Sequence, residues 1–251
     1  MIKDNIKPSD WFSFYGNKKQ AKARIFAFPY SGAGSSIFHS WAKKMESSGI
    51  QLVGVQLPGR ENRFGENLID DLPSLLENIL QEIRNLTDKP YAFFGHSMGG
   101  LIAYELSRKI HAENLHLPKH LYVSAFRSPE LENTNRPMAI LNDDDFLSEI
   151  VNYGGMPNEV LENKEFLEIF LPILRADFLL TEYYSYKEGS ILTIPISVFS
   201  GSEDNIVHPE QMNNWKSKTN KEFNHYKYCG KHFFINDHVD SIIEKLKGAF
   251  N

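Results

Sequence analysis

The stretch Tyr91-Ala92-Phe93-Phe94-Gly95-His96-Ser97-Met98-Gly99-Gly100-Leu101 decides how the chain is read. Its first four residues are apolar and run straight into glycine, as a buried strand does. Apolar residues then recur at Leu101, Ile102, Leu106 and Ile110, the spacing of a helix with one face toward a core. Between the two lies Gly95-His96-Ser97-Met98-Gly99, a G-x-S-x-G sequence in the strand-turn-helix setting that gives it meaning. Such a turn strains the serine backbone and lifts the hydroxyl clear of the sheet, while the next helix aims its N-terminus at any charge that develops there. Ser97 is therefore the candidate nucleophile; the bland alternative is a tight turn and nothing more.

Outward from this turn, runs rich in β-branched and aromatic residues recur at Arg24–Tyr30, Gln51–Leu57, His120–Ala125, Ile194–Gly201 and Glu222–Tyr228, and each reads as a strand. Leu72, Leu75, Leu76, Ile79, Leu80 and Ile83 form a helical stripe between two of them. Alternating strand and helix imply crossover connections, hence a mostly parallel sheet flanked by helices: an α/β fold. The alternation fails between about 128 and 190, where Asp143–Asn152 and Val160–Leu180 read as helices and no strand is evident. We expect a helical cap inserted at 128–190 into a core made of 1–127 and 191–251. The second cap helix carries more apolar residues, among them Phe166, Ile169, Phe170, Leu174 and Phe178, than one core-facing stripe needs. Deep packing is the plain reason, and a wall for an apolar ligand is the other. Asp143-Asp144-Asp145 suits a helix N-terminus better than a metal site.

The whole chain fits this frame. At 251 residues, with 41% hydrophobic and 24% charged residues, it can bury a sizeable core as one domain with an insertion, and global disorder is excluded. A formal charge of −5, from 27 Lys and Arg against 32 Asp and Glu, argues against a nucleic-acid surface. Cys229 is the single cysteine, so neither an internal disulfide nor a multi-cysteine metal site can form. No signal-like N-terminal run and no stretch of ~18 apolar residues is present, which leads us to expect a cytoplasmic protein that does not enter membranes.

A serine hydroxyl needs a base, and the base needs an acid to orient it. Of nine histidines, His208, His225, His232 and His238 follow the expected cap, and His232 alone sits in the loop just past the last strand, so it is the candidate base. His225 falls within that strand, His238 at a helix start and His208 beside Pro209; His96 is expected to pack beside the turn. Past Gly201 stand Glu203 and Asp204, of which we take Asp204 as the acid. A developing oxyanion would find one donor in the Met98 N–H and a second in the loop Phe28-Pro29-Tyr30-Ser31-Gly32-Ala33-Gly34, with Ser31 preferred and Tyr30 the near alternative.

With these residues in place the sequence resembles the type II thioesterases that accompany nonribosomal peptide and polyketide synthases, members of the α/β-hydrolase superfamily. The resemblance rests on Phe28–Gly34 with Trp41 downstream, Gln56-Leu57-Pro58-Gly59-Arg60-Glu61-Asn62-Arg63-Phe64, Phe94–Gly100, Gly154-Gly155-Met156-Pro157, and Leu171-Pro172-Ile173-Leu174-Arg175-Ala176-Asp177. The segments at Gly201–Asp204 and His232–Phe234 complete it, so it spans nearly the whole chain. The turn at Ser97 would suit any α/β-hydrolase; the Pro-Gly-Arg-Glu loop and the cap sequence are far more specific. One departure is Lys231, where glycine is common in the family.

The resemblance implies an α/β-hydrolase fold with a helical lid, and a Ser97–His232–Asp204 triad with Met98 and Ser31 as backbone donors. The implied reaction is hydrolysis of aberrant acyl or aminoacyl thioesters from phosphopantetheinyl carrier proteins through an acyl-enzyme. It implies neither cofactor nor metal, because the 4′-phosphopantetheine belongs to the partner, and we expect a monomer. The partner is an acyl or peptidyl carrier protein domain, which in this picture is acidic and would dock on Arg60, Arg63 or Lys164. A carboxylesterase or lipase-like hydrolase of free esters is the rival enzyme, an acyltransferase is chemically open, and a non-catalytic binding module on the same scaffold is the rival from another class.

Overall fold

A computed structural model of the chain describes residues 10–16, 20–134, 136–154 and 163–250. The strands are β1 Phe12–Tyr15, β2 Ala23–Phe28, β3 Ile50–Val55, β4 Tyr91–His96, β5 Leu121–Ser124, β6 Ile196–Gly201 and β7 Phe223–Tyr228. They form one seven-stranded sheet in the order β1-β3-β2-β4-β5-β6-β7, and every pairing is parallel except β1 with β3. The mostly parallel sheet expected from the alternation is present.

Because side chains alternate across a strand, each central strand feeds two cores. On one face, Phe26, Phe28, Val53 and Phe93 pack with Leu75, Ile79 and Ile83 of helix α2, Leu72–Ile83, and with Leu101, Ile102 and Leu106 of helix α3, Met98–Ala112. On the other, Ile25, Ala27, Leu52 and Phe94 pack with Trp41 and Met45 of helix α1, His39–Met45, and with Ile242, Ile243 and Leu246 near the C-terminus. The α2 stripe is the one its spacing predicts, and Asp71 starts the helix by accepting the Ser74 N–H at 2.9 Å.

Between β5 and β6 the described residues contain two α-helices and no strand: α4, Asp143–Asn152, and α5, Lys164–Glu182. Asn142 caps α4 and three aspartates occupy its first turn, the dipole-complementing arrangement expected there. The two helices share a small core of Phe146, Ile150, Leu171 and Leu174 with Met138. Residues 160–162 of the expected cap helix and 155–157 of the Gly-Gly-Met-Pro sequence lie outside the described residues. The final helix is α6, Val239–Lys247.

Among the elements that escape sequence reading are the seven-residue α1, an edge strand and a 3₁₀ helix. Strand β1 is four residues long, half-buried on an edge, and too short to show a period. Pro209–Lys218 is a 3₁₀ helix that carries the fully buried Trp215, whose indole N–H donates to the Phe126 carbonyl at 2.8 Å.

Candidate active site

Three strand ends meet at one point. Ser97 joins β4 to α3 with φ 53° and ψ −123°, a left-handed backbone that costs a non-glycine residue about 1–3 kcal/mol. Its N–H is anchored on the Ser124 carbonyl at 2.7 Å. The sharpness of the turn depends on Gly95, where a Cβ would stand 2.0 Å from the Gly99 carbonyl oxygen, and its seating depends on Gly99, where a Cβ would stand 2.1 Å from the Phe28 carbonyl oxygen. Gly99 thus lets the start of α3 close against the end of β2 and the loop that follows.

His232 hangs from the loop after β7 and is buried. Its Nε2 lies 3.1 Å from Ser97 Oγ and its Nδ1 lies 2.9 Å from Asp204 Oδ2. Asp204, in the loop after β6, is also buried, and its other carboxylate oxygen accepts the N–H groups of Ile206 at 2.9 Å and Val207 at 3.0 Å. Two backbone donors on Oδ1 leave Oδ2 aimed at the imidazole. Glu203, the adjacent carboxylate, is exposed.

The remaining histidines are engaged elsewhere. His225 spans Ser200 Oγ and Asn213 Oδ1, both at 2.8 Å, and His238 Nε2 contacts the Cys229 carbonyl at 2.8 Å. His208 is exposed at the start of the 3₁₀ helix, and Lys231 beside His232 is exposed. His96 packs under the turn as expected: its Nδ1 meets Ser124 Oγ at 2.8 Å, and its ring centroid lies 5.2 Å from that of His232. Burial first, and the neighbouring His232 second, push its pKa well below the ordinary imidazole value. It therefore offers His232 a neutral wall.

Ser97 and His232 open into a cavity of about 290 Å³, shared with Tyr30 and Ser31 on one side and with Ile150, Phe170, Leu174 and Phe178 of the two cap-segment helices on the other. Along helix α5, Leu171, Ile173 and Leu180 pack inward and Phe170, Leu174 and Phe178 face the cavity, whereas Phe166 and Ile169, expected to pack or to line a wall, are exposed because they lie on the face of the helix turned to solvent. Met98 is the first residue of α3, where backbone N–H groups have no intrahelical acceptor. In the facing loop, Ala33 N–H closes a turn onto the Tyr30 carbonyl at 3.0 Å. The Gly32 N–H is taken by Asp177 Oδ2 at 2.7 Å, so it is not open to a ligand.

Arg60 and Arg63, expected as docking cations, are not surface groups. Arg60 is 6% exposed and grips Asp177 with two nitrogens, at 2.5 and 2.8 Å. Arg63 is equally buried, over the Trp11 ring at 4.0 Å and bonded to Glu66 at 2.6 Å and to the Gln56 carbonyl at 3.1 Å. Folding recruits both as internal braces, because each finds a carboxylate and carbonyls that solvent docking would leave unpaired. Lys164 is exposed. Asp177 was not singled out from the sequence as a functional residue, and its only signal was its place in the Leu-Arg-Ala-Asp stretch. Among the described residues no group of three metal-binding side chains occurs, and no helix is long and apolar enough to cross a membrane.

The thioesterase domain family model matches residues 23–250. The chain is 37% identical over 234 residues to the gramicidin S biosynthesis protein GrsT of Aneurinibacillus migulanus, covering 93% of this chain and 91% of that one. Among solved structures it is similar to the RedJ thioesterase of the prodiginine pathway in Streptomyces coelicolor, with a TM-score of 0.87, 31% identity and coverage of 94% of this chain and 93% of that one. It is also similar to the type II thioesterase BorB from the borrelidin cluster, with a TM-score of 0.88, 26% identity and coverage of 98% and 100%.

Proposed function

The chain belongs to the thioesterase family, on the α/β-hydrolase fold, and from that premise we propose that it is a type II enzyme that clears aberrant acyl or aminoacyl groups from the phosphopantetheinyl arm of synthase carrier proteins. The observation that carries this proposal is the continuous chain from Ser97 through His232 to Asp204, with contacts of 3.1 and 2.9 Å, at the mouth of a cavity of about 290 Å³.

In the proposed cycle Nδ1–H of His232 donates to Asp204, which fixes the tautomer and leaves Nε2 free to take the Ser97 proton. Ser97 Oγ attacks the thioester carbonyl carbon, and the carbonyl electron pair moves onto oxygen. That oxyanion is received by the N–H of Met98 and the N–H of Ser31, with Tyr30 as the alternative second donor. Collapse expels the arm's sulfur, which recovers a proton from the His232 imidazolium; because a thiol has a pKa of about 8.5, this departure needs less help than that of an alcohol. Water, deprotonated by His232, then attacks the acyl-Ser97 ester; collapse breaks the bond to Ser97 Oγ, which takes the proton back from His232, and the carboxylic acid is released. The cycle draws on no metal or cofactor of its own.

We treat 128–190 as the cap over a core of 1–127 and 191–251. A cavity of about 290 Å³ stands at the small end of the range for small-molecule sites, which favours short acyl groups over long ones. The test is a rapid-quench mass measurement after mixing with acetyl-loaded and long-chain-acyl-loaded carrier protein. We expect one acetyl group on the wild-type chain, none on Ser97→Ala, and slower labelling by the long chain. Labelling that survives Ser97→Ala would remove Ser97 from the role.

A further inference from the structure

The two sequences most specific to the family resemblance, Pro-Gly-Arg-Glu and Leu-Arg-Ala-Asp, have no part in the cycle above, yet they meet each other. Asp177, on α5, is fully buried, and its two carboxylate oxygens receive Arg60 as a fork at 2.5 and 2.8 Å. Oδ2 also takes the Gly32 N–H at 2.7 Å. That third contact reaches into the loop proposed to supply the second oxyanion donor.

The turn there is defined by Ala33 N–H on the Tyr30 carbonyl and by Gly32 at φ +81°, values that belong to a type II turn. Types I and II differ by a flip of the central peptide, here the one between Ser31 and Gly32. In the observed form its N–H faces the Asp177 carboxylate; flipped, it would turn the Ser31 carbonyl toward that carboxylate instead. A buried anion held by a guanidinium therefore selects one form of the turn over the other. Neighbouring contacts hold the rest of the loop: Gln56 accepts the Ser35 N–H at 2.8 Å, and Glu61 takes the Ser36 N–H at 3.2 Å and the Ser35 hydroxyl at 3.1 Å. From above, Leu174 and Phe170 of α5 sit so close to Gly32 that a Cβ there would lie 2.7 and 2.8 Å from them.

We propose that Asp177 and Arg60 are positioning residues for the oxyanion hole, so that the seating of α5 and the readiness of the Tyr30–Ser31 amides are one event. The proposal rests on the assignment of that loop as the second donor. Neither side chain touches the reacting atoms; Asp177 acts through the Gly32 peptide.

The test uses Asp177→Asn, with S-propionyl-N-acetylcysteamine as substrate and a short alkyl trifluoromethyl ketone as transition-state mimic. Ser97 adds to that ketone, its proton passes to His232, and the resulting oxyanion needs the hole. We expect kcat to fall about tenfold or more, as for partial loss of an oxyanion donor, with KM within about twofold, and affinity for the ketone to fall by the same factor as kcat. An unchanged kcat, or a kcat loss with full ketone affinity, would overturn the proposal. Should Asp177→Asn not fold, the double variant Arg60→Met with Asp177→Leu replaces the buried ion pair by apolar side chains, a change that can leave folding intact, and it should show the same paired loss. The wild-type Gly32 amide proton provides a readout independent of variants: a downfield resonance is expected from its bond to a carboxylate, and a random-coil shift would count against it. Ser97→Ala measured alongside separates the two levels, since turnover surviving in that variant defeats the proposed function itself, whereas its loss there with normal Asp177→Asn kinetics defeats only this inference.

Discussion

At the scale of single residues, catalytic competence depends on which hydrogen bonds are left open. Asp204 commits one oxygen to two backbone N–H groups and offers the other to His232, so its side chain is oriented before any substrate arrives. Asp204→Asn preserves shape but removes the carboxylate proposed to fix the His232 tautomer; kcat for a carrier-bound acetyl group should fall about 10³- to 10⁴-fold, with little change in thermal midpoint. A loss of tenfold or less in steady-state kinetics would demote Asp204. Gly99→Ala should act through folding, because its Cβ would enter the space of the Phe28 carbonyl at 2.1 Å. We expect at least about 2–3 kcal/mol of destabilisation in chemical denaturation, or no soluble protein. Wild-type stability in that variant would contradict the close approach of α3 to the end of β2.

At the scale of elements, what could be read from sequence follows from burial. Strands β2, β4, β5 and β6 are buried along their whole lengths, so they show as continuous apolar runs, and the turn at Ser97 could be placed between β4 and α3. Strand β1, Phe12–Tyr15, borders solvent and leaves no such mark. The order serine, aspartate, histidine along the chain could be followed to Ser97, Asp204 and His232 because each sits just past a strand end. Arg60 and Arg63 read as surface cations because the burial of a charged side chain is decided by a partner far away in sequence: Asp177 for the first, and the Trp11 ring and Gln56 carbonyl for the second. For Arg63 this makes a separable prediction. Arg63→Met should lower stability by about 1–3 kcal/mol, the range for losing hydrogen bonds of a largely buried charged group, while KM for a carrier-bound substrate stays within about twofold. A raised KM at unchanged stability would return Arg63 to the docking surface.

At the scale of the whole molecule, buried imidazoles tie stability to pH. His120, stacked on Tyr122 and 2.9 Å from Ser197 Oγ, has its pKa pushed down to about 4 by burial, and His96 is lowered for the same reason. Both stay neutral in the folded protein at pH values where unfolded histidine, with a pKa of about 6.5, already binds protons. The contribution of His120 to stability is complete above that range and is lost as pH falls from about 6.5 toward 4, and His96 acts in the same direction. The thermal midpoint should therefore drop on acidification, and His120→Gln, which keeps a partner for Ser197 but cannot titrate, should drop less steeply between pH 7 and pH 4.5. Parallel slopes would remove His120 from the effect.

The central claim of the proposed function is that Ser97 acts on the thioester of a carrier arm and not on a free ester. Single-turnover release of acetyl, a longer acyl and an aminoacyl group from phosphopantetheinyl carrier protein, beside matched free esters and with Ser97→Ala as control, measures it directly. Release from the carrier that far outpaces ester cleavage and vanishes in Ser97→Ala is the predicted result; rapid ester cleavage with loaded carriers untouched would contradict it and make the chain an esterase.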